Sequence, residues 1–255
     1  MTRLDLDITK DWAWSGATGS GVSVAVVDSG VEAGHPQVGA VGRSAALSYD
    51  AEREEVVVAE GPHEDLFGHG TACAGIVRRV APDAELMSVR VLGRRLSGKS
   101  IVFAAGLRWA IAQGAKVVNL SLSTGREDAY GTFHEIADEA AFAGVILVCA
   151  VNNVPAPTDP GEFSSVISVA AHDGKDPFCL DANPRPPVDF GAPGIDVEVA
   201  WVGGGTLVST GNSFAAPHVT GLVARILSKH PDLTPYEVKS VLRAVCSNAI
   251  RPAHG

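Results

Sequence analysis

Val22-Ser23-Val24-Ala25-Val26-Val27-Asp28-Ser29-Gly30 is the stretch on which the fold turns. Its first six residues are nearly all β-branched or small and apolar, without the alternation of a strand that wets one face. Such a run reads as a strand buried on both sides of a parallel sheet. It stops at Asp28-Ser29-Gly30, an acid and a hydroxyl followed by a residue free to turn. Open α/β sheets place their sites at the carboxyl ends of strands. Aspartate after a strand is also an ordinary turn residue that bonds to its own backbone, and both readings of Asp28 stand at this point.

Working outward, the spacing predicts further strands at Leu86 to Val91, Lys116 to Ser121, Val145 to Ala150 and Val166 to Val169, with helices at Lys99 to Gln113 and Phe133 to Ala143. Strands alternating with helices of this length imply right-handed βαβ crossovers. The expected fold class is therefore α/β, three layers, with a mostly parallel central sheet flanked by helices. Residues 31 to 64 read as loop with one strand, Glu55 to Val58, and residues 172 to 205 as connection with short strands. A short helix is expected from Asp11 to Ala17, and a last one from Pro235 to about Ala244 with Thr234 as its N-cap. With no internal repeat and no linker, residues 1–255 form one expected domain.

The chain is 46% hydrophobic and 19% charged, ruling out a disordered or fibrous class, and its net charge of −9, with no Lys/Arg cluster beyond Arg78-Arg79 and Arg94-Arg95, argues against a nucleic-acid binder. No run reaches the roughly 18 apolar residues of a membrane span. The polar first ten residues carry no secretory signal, so the expected compartment is the cytoplasm, or the exterior if this is a processed mature form. Gly16 to Gly21 is rich in glycine but precedes a strand and lacks the Gly-Lys-Ser/Thr ending of a phosphate loop. Cys73, Cys149, Cys179 and Cys246 show no paired short spacing, so metal binding has no support and reduced thiols are the simplest expectation.

Gly211-Asn212-Ser213-Phe214-Ala215-Ala216-Pro217-His218-Val219-Thr220-Gly221 follows a strand-like run, Thr206 to Ser209, and opens an apolar helix to about Leu227. Ser213 falls at the positive end of that helix, beside N–H groups with no internal partner. This suits a nucleophile whose reaction makes an oxyanion, and equally an N-cap. Gly68-His69-Gly70-Thr71 opens another helix rich in small residues, with His69 sterically open on both sides. A serine needs an adjacent base, and the base an acid to fix its tautomer. Asp28, His69 and Ser213 all flank elements expected to share one sheet edge.

Four blocks together, Val24 to Gly30, Gly68 to Thr71, Asn119-Leu120-Ser121-Leu122 and Gly211 to Gly221, make the chain resemble subtilisin-like serine proteases (subtilases) over about residues 12 to 245. The resemblance implies that Ser213 attacks a peptide carbonyl, His69 moves the proton and Asp28 orients His69. It implies an asparagine donor to the oxyanion, for which Asn152 is the first match and Asn153 the second. It further implies a peptide or protein substrate laid as an added strand between Leu96-Ser97-Gly98 and Ser121-Leu122-Ser123. The wall of its first pocket would be Ala150-Val151-Asn152, with Thr158-Asp159 near the base. Asp159 or Glu162 there would favour a basic residue before the cut.

The pattern departs from the family in places. Asn212 stands where threonine is usual and could itself donate to the oxyanion. Phe214 replaces methionine, and Val151 replaces a glycine. Ala72 stands where histidine is common, and Cys73 lies one turn past His69. No calcium-binding insertion interrupts Ile76 to Pro82, so no cofactor is expected there. The family's inhibitory and folding segment is also not visible, so a separate inhibitory or activating segment is one expected partner. The alternative to an active endopeptidase is a catalytically silent, peptide-binding scaffold of the same fold.

Overall fold

The computed structural model describes residues 8–249. Strand β1 (Ser23–Asp28) lies inside a nine-stranded sheet, and its alternation assigns the layers. Val24 and Val26 enter one apolar layer, Ala25 and Val27 the other, all four fully buried. Burying a valine on this scale contributes about 1.5–3 kcal/mol.

The remaining strands are β2 (Ser44–Asp50), β3 (Glu55–Glu60), β4 (Glu85–Arg90), β5 (Val117–Leu120), β6 (Ile146–Ala150), β7 (Ile167–His172), β8 (Asp181–Ala182) and β9 (Phe190–Pro193). They run in the order β3-β2-β4-β1-β5-β6-β7-β9-β8. The seven from β2 to β9 are mutually parallel, and β3 and β8 pair antiparallel at the edges. A separate antiparallel pair, β10 (Val197–Trp201) and β11 (Gly205–Ser209), lies beside the sheet. Strand β2 is the element the sequence hid. Ser44–Asp50 mixes polar and apolar residues and is only half-buried near the sheet's edge, so it lacks the apolar run that marks β1.

After a short α1 (Lys10–Trp14), helices α2 (His69–Val80) and α5 (Asn212–Lys229) cover one face, joined by α6 (Pro235–Ala244). Helices α3 (Ser100–Ala112) and α4 (Tyr130–Phe142) cover the other. The pair α2 and α5 packs closely because their facing residues are small. A Cβ on Gly221 would lie 2.5 Å from the Cβ of Val80. Strand order reverses beside β1, with β4 on one side and β5 on the other. The crevice at the carboxyl ends of β1 and β5 is thus where such a sheet accommodates a ligand.

Candidate active site

Asp28 is the last residue of β1 and is fully buried. Its Oδ1 accepts the Ser29 N–H at 2.7 Å, and both carboxylate oxygens lie 2.9 Å from Nδ1 of His69. His69 is the first residue of α2, after Gly68 in a left-handed conformation (φ 114°). Such close approach of helix and strand requires glycine at 70, where a Cβ would fall 2.0 Å from the Gly30 carbonyl oxygen. The contact with Asp28 assigns the Nδ1 proton and leaves Nε2 as the free base. Burial opposes charge on the ring, but the Asp28 carboxylate outweighs it, and the pKa of His69 stands well above the usual imidazole value.

Sequence reasoning missed Asp65, which fixes this corner. Its Oδ1 accepts the Ser29 hydroxyl (2.8 Å) and the N–H groups of Phe67 (3.0 Å) and Gly68 (2.8 Å). Its Oδ2 accepts the N–H (2.9 Å) and hydroxyl (2.6 Å) of Thr71. The signal was present: an aspartate just ahead of a Gly-rich helix start is a capping acid.

Ser213 is the second residue of α5, so its N–H has no intrahelical acceptor. Pro217 has no N–H to return to the Ser213 carbonyl. That oxygen instead accepts the Ser121 hydroxyl at 2.8 Å and the Cys73 thiol at 3.6 Å. Ser121 is backed by Asn119 Nδ2 (3.0 Å), whose Oδ1 accepts the Thr220 hydroxyl (2.9 Å), so a buried polar row holds the serine's backbone. Cys73 Sγ lies 4.0 Å from His69 Nδ1, and the Phe214 ring is centred 5.5 Å from the imidazole. Among the described residues no hydrogen bond joins His69 Nε2 to the Ser213 hydroxyl; such contacts are often loose before substrate binds. Burial raises the Cys73 thiol's pKa despite its neighbour His69, so at neutral pH it is a thiol, a poor rival nucleophile.

The two asparagines divide differently from expectation. Asn152, the first match for the oxyanion donor, turns its Nδ2 into its own loop, donating to the Pro157 carbonyl at 2.9 Å. Asn153 Oδ1 accepts the Asn212 N–H at 2.9 Å. Its amide and the Ser213 hydroxyl both lie near Gly211, where a Cβ would be 3.2 Å from the hydroxyl and 3.7 Å from both Asn153 amide atoms. Asn212 does not offer its side chain to this space. Its amide is consumed by Ala171, Val151 and Asn152.

A cavity of about 1190 Å³ is lined by Ser213 together with Leu96, Ser97, Gly98, Ser121, Leu122, Ser123, Ala150, Val151, Asn152 and Asn153. Neither acid expected at its base lines it. Asp159 is buried, its backbone pairing with Thr124, and burial with nearby Glu162 raises its carboxyl pKa. Glu162 lines a separate cavity of about 330 Å³ behind the 151–158 loop.

A second cluster, His172, Cys179 and Asp181, brings three potential ligand atoms within 4.8 Å of one another. There Nδ1 of His172 accepts the Gly174 N–H at 3.0 Å, which puts the ring proton on Nε2 and leaves no lone pair for an ion. No described helix is long and apolar enough to cross a membrane.

Comparison with known proteins places these features in context. The family profile described as the subtilase family matches residues 19–250. Subtilisin E of Bacillus subtilis (strain 168) is 30% identical over 247 residues, covering 91% of this chain and 62% of that protein. Subtilisin of Bacillus pumilus is 29% identical over 247 residues, covering 91% of this chain and 86% of its own length. Among solved structures, a cold adapted subtilisin-like serine proteinase superposes with a TM-score of 0.72 at 29% identity, over 92% of this chain and 87% of that one.

Proposed function

This chain belongs to the subtilase family, and on that premise we propose that it is a serine endopeptidase, a hydrolase of peptide bonds. The observation that carries the proposal is the buried Asp28 carboxylate set 2.9 Å from Nδ1 of His69, on a strand end and helix start that face the Ser213 turn. In this reading His69 Nε2 takes the proton of the Ser213 hydroxyl as its oxygen attacks the carbonyl carbon. The same nitrogen returns the proton to the leaving amine, and Asp28 stabilises the imidazolium between the two steps. The oxyanion forms against the Ser213 N–H and the Asn153 amide. Asn153, the second match, is taken in place of Asn152 because its amide lies by Gly211, next to the Ser213 turn, whereas Asn152 Nδ2 is spent on the Pro157 carbonyl.

The substrate enters as an extended segment between Leu96-Ser97-Gly98 and Ser121-Leu122-Ser123, the two rims of the large cavity. Its class is a peptide or protein. With Asp159 and Glu162 outside the cleft, the lining supports no preference for a basic residue before the cut. The subtilisin relatives lend no support to a cytoplasmic location and favour an exported enzyme.

The turn after α2 is read as needing no calcium. Arg78 donates there to four carbonyls, those of Val38 (2.9 Å), Ala40 (3.2 Å), Pro82 (2.5 Å) and Ala84 (2.8 Å), and so fills the place of a cation with its own side chain. Chelation should leave the melting temperature unchanged, and a large rise on adding calcium back would reject this.

A fluorophosphonate probe tests the enzyme itself. Covalent mass on Ser213, lost in His69→Ala, together with cleavage of an unfolded protein, is the expected result. A folded chain that takes no probe and cuts nothing would leave only the peptide-binding scaffold.

A further inference from the structure

The geometry points to Asn212 as a positioning residue for the oxyanion site: it holds the donor Asn153 in place and does not donate itself. The inference rests on the endopeptidase reading above and extends it to a residue that touches neither substrate nor reacting atoms.

Asn212 sits one residue before the nucleophile and uses every polar atom of its amide. Its Oδ1 accepts the Ala171 N–H, near the end of β7, at 2.8 Å. Its Nδ2 donates to the carbonyls of Val151 (3.1 Å) and Asn152 (3.0 Å), in the loop that leaves β6. Its backbone N–H donates to Oδ1 of Asn153 at 2.9 Å. One residue thus ties the β6 loop, the β7 end and the first turn of α5 together.

The consequence falls on Asn153. A backbone N–H can only donate, so the Asn153 atom it meets is the amide oxygen, and Nδ2 makes no hydrogen bond among the described residues. Asn153 is exposed, and Asn152 donates its Nδ2 to the Pro157 carbonyl within the loop. Apart from Asn212, residues 151–153 are held by the Val151 N–H on the Val169 carbonyl (3.0 Å), the Asn152 N–H on the Thr158 hydroxyl (3.2 Å) and the Ser123 hydroxyl on Asn152 Oδ1 (3.5 Å), none of which reaches Asn153 itself. The two carbonyls that Asn212 Nδ2 binds belong to the two successive peptide units leading into Asn153, so losing both donors frees the donor residue to drift relative to Ser213. A hydroxyl side chain at 212 could supply at most one of these donors. Misplacement of about 1 Å is enough to cost on the order of 10²-fold in rate.

The test is a double-mutant cycle on the full chain, with kcat and KM measured on a peptide anilide. Asn212→Asp keeps the shape and the Ala171 contact but removes both donors. It should lower kcat roughly 100-fold with KM within about 3-fold of wild type. Asn153→Ala should lower kcat about 10²–10³-fold. Added to Asn153→Ala, the Asn212→Asp change should cost less than about 3-fold, because positioning an absent donor has no value. Circular dichroism and melting curves confirm folding; if the aspartate variant does not fold, Asn212→Ser carries the cycle. An additive cycle, or a lowered melting temperature with kcat intact, overturns the inference while leaving the endopeptidase reading in place. A wild type that neither cleaves peptides nor takes a fluorophosphonate overturns both.

Discussion

In the proposed endopeptidase, the acid–base half of the site and its nucleophile half are built on opposite principles. Asp28 and His69 lie on a buried strand end and a buried helix start, with the carboxylate fully enclosed and the supporting acid Asp65 making five hydrogen bonds. Ser213 and Asn153 lie at the cavity wall, the serine half-buried and the asparagine exposed, positioned through their backbones and through Asn212. The difference follows from the work each half performs. A carboxylate raises an imidazole's pKa strongly only where water does not screen it. A nucleophile and its oxyanion donors must meet a substrate, so they cannot be enclosed and are held from behind. The closed half is therefore fixed before substrate arrives, and the open half carries the tolerance.

The largest effects should come from breaking each half at its centre. Ser213→Ala should lower kcat about 10⁶-fold and Asp28→Asn about 10⁴-fold, magnitudes carried over from other triad proteases, subtilisin among them. Both are read from peptide hydrolysis by folded protein. Because Asp28 raises the His69 pKa, the wild-type rate should fall as pH drops through a value above that of free imidazole, while Asp28→Asn should show no such limb there. An Asp28→Asn enzyme within tenfold of wild type would show that the closed half is scaffold and not chemistry.

A smaller effect probes the dry interior beneath the open half. His218 lies on α5 five residues beyond Ser213, and burial, with Arg79 and His172 nearby, lowers its pKa to about 4. The unfolded ring takes up its proton below about 6.5 while the folded ring resists until about pH 4. Stability present at neutral pH is thus lost as pH falls across that window, by about 3 kcal/mol. Urea unfolding at pH 7 and pH 4.5 should show a loss of this order that shrinks in His218→Asn. An equal loss in both proteins would mean that His218 is not the group responsible.

Particular residues show how much could be read in advance. The β-branched run ending at Asp28 announced a parallel strand and its terminal acid, because burial on both faces leaves an apolar signature in the sequence itself. The chain also carried the small residues that let α2 and α5 pack closely, and the spacing of three reactive side chains along it. Strand β2 was not legible, since a half-exposed strand one place in from the edge asks for no such signature. Nor was the division of labour between Asn152 and Asn153. Adjacent asparagines are chemically identical, and which amide turned inward depended on a backbone N–H supplied by residue 212 and a carbonyl supplied by residue 157.

Composition and pattern determined the layers, the order of the elements and the residues able to do chemistry, for these depend on local propensity and on which faces must leave water. The tertiary structure alone decided which of those residues meet, which amide is spent and which is free. Hydrogen bonds between distant segments follow from the approach of backbones that no short stretch encodes.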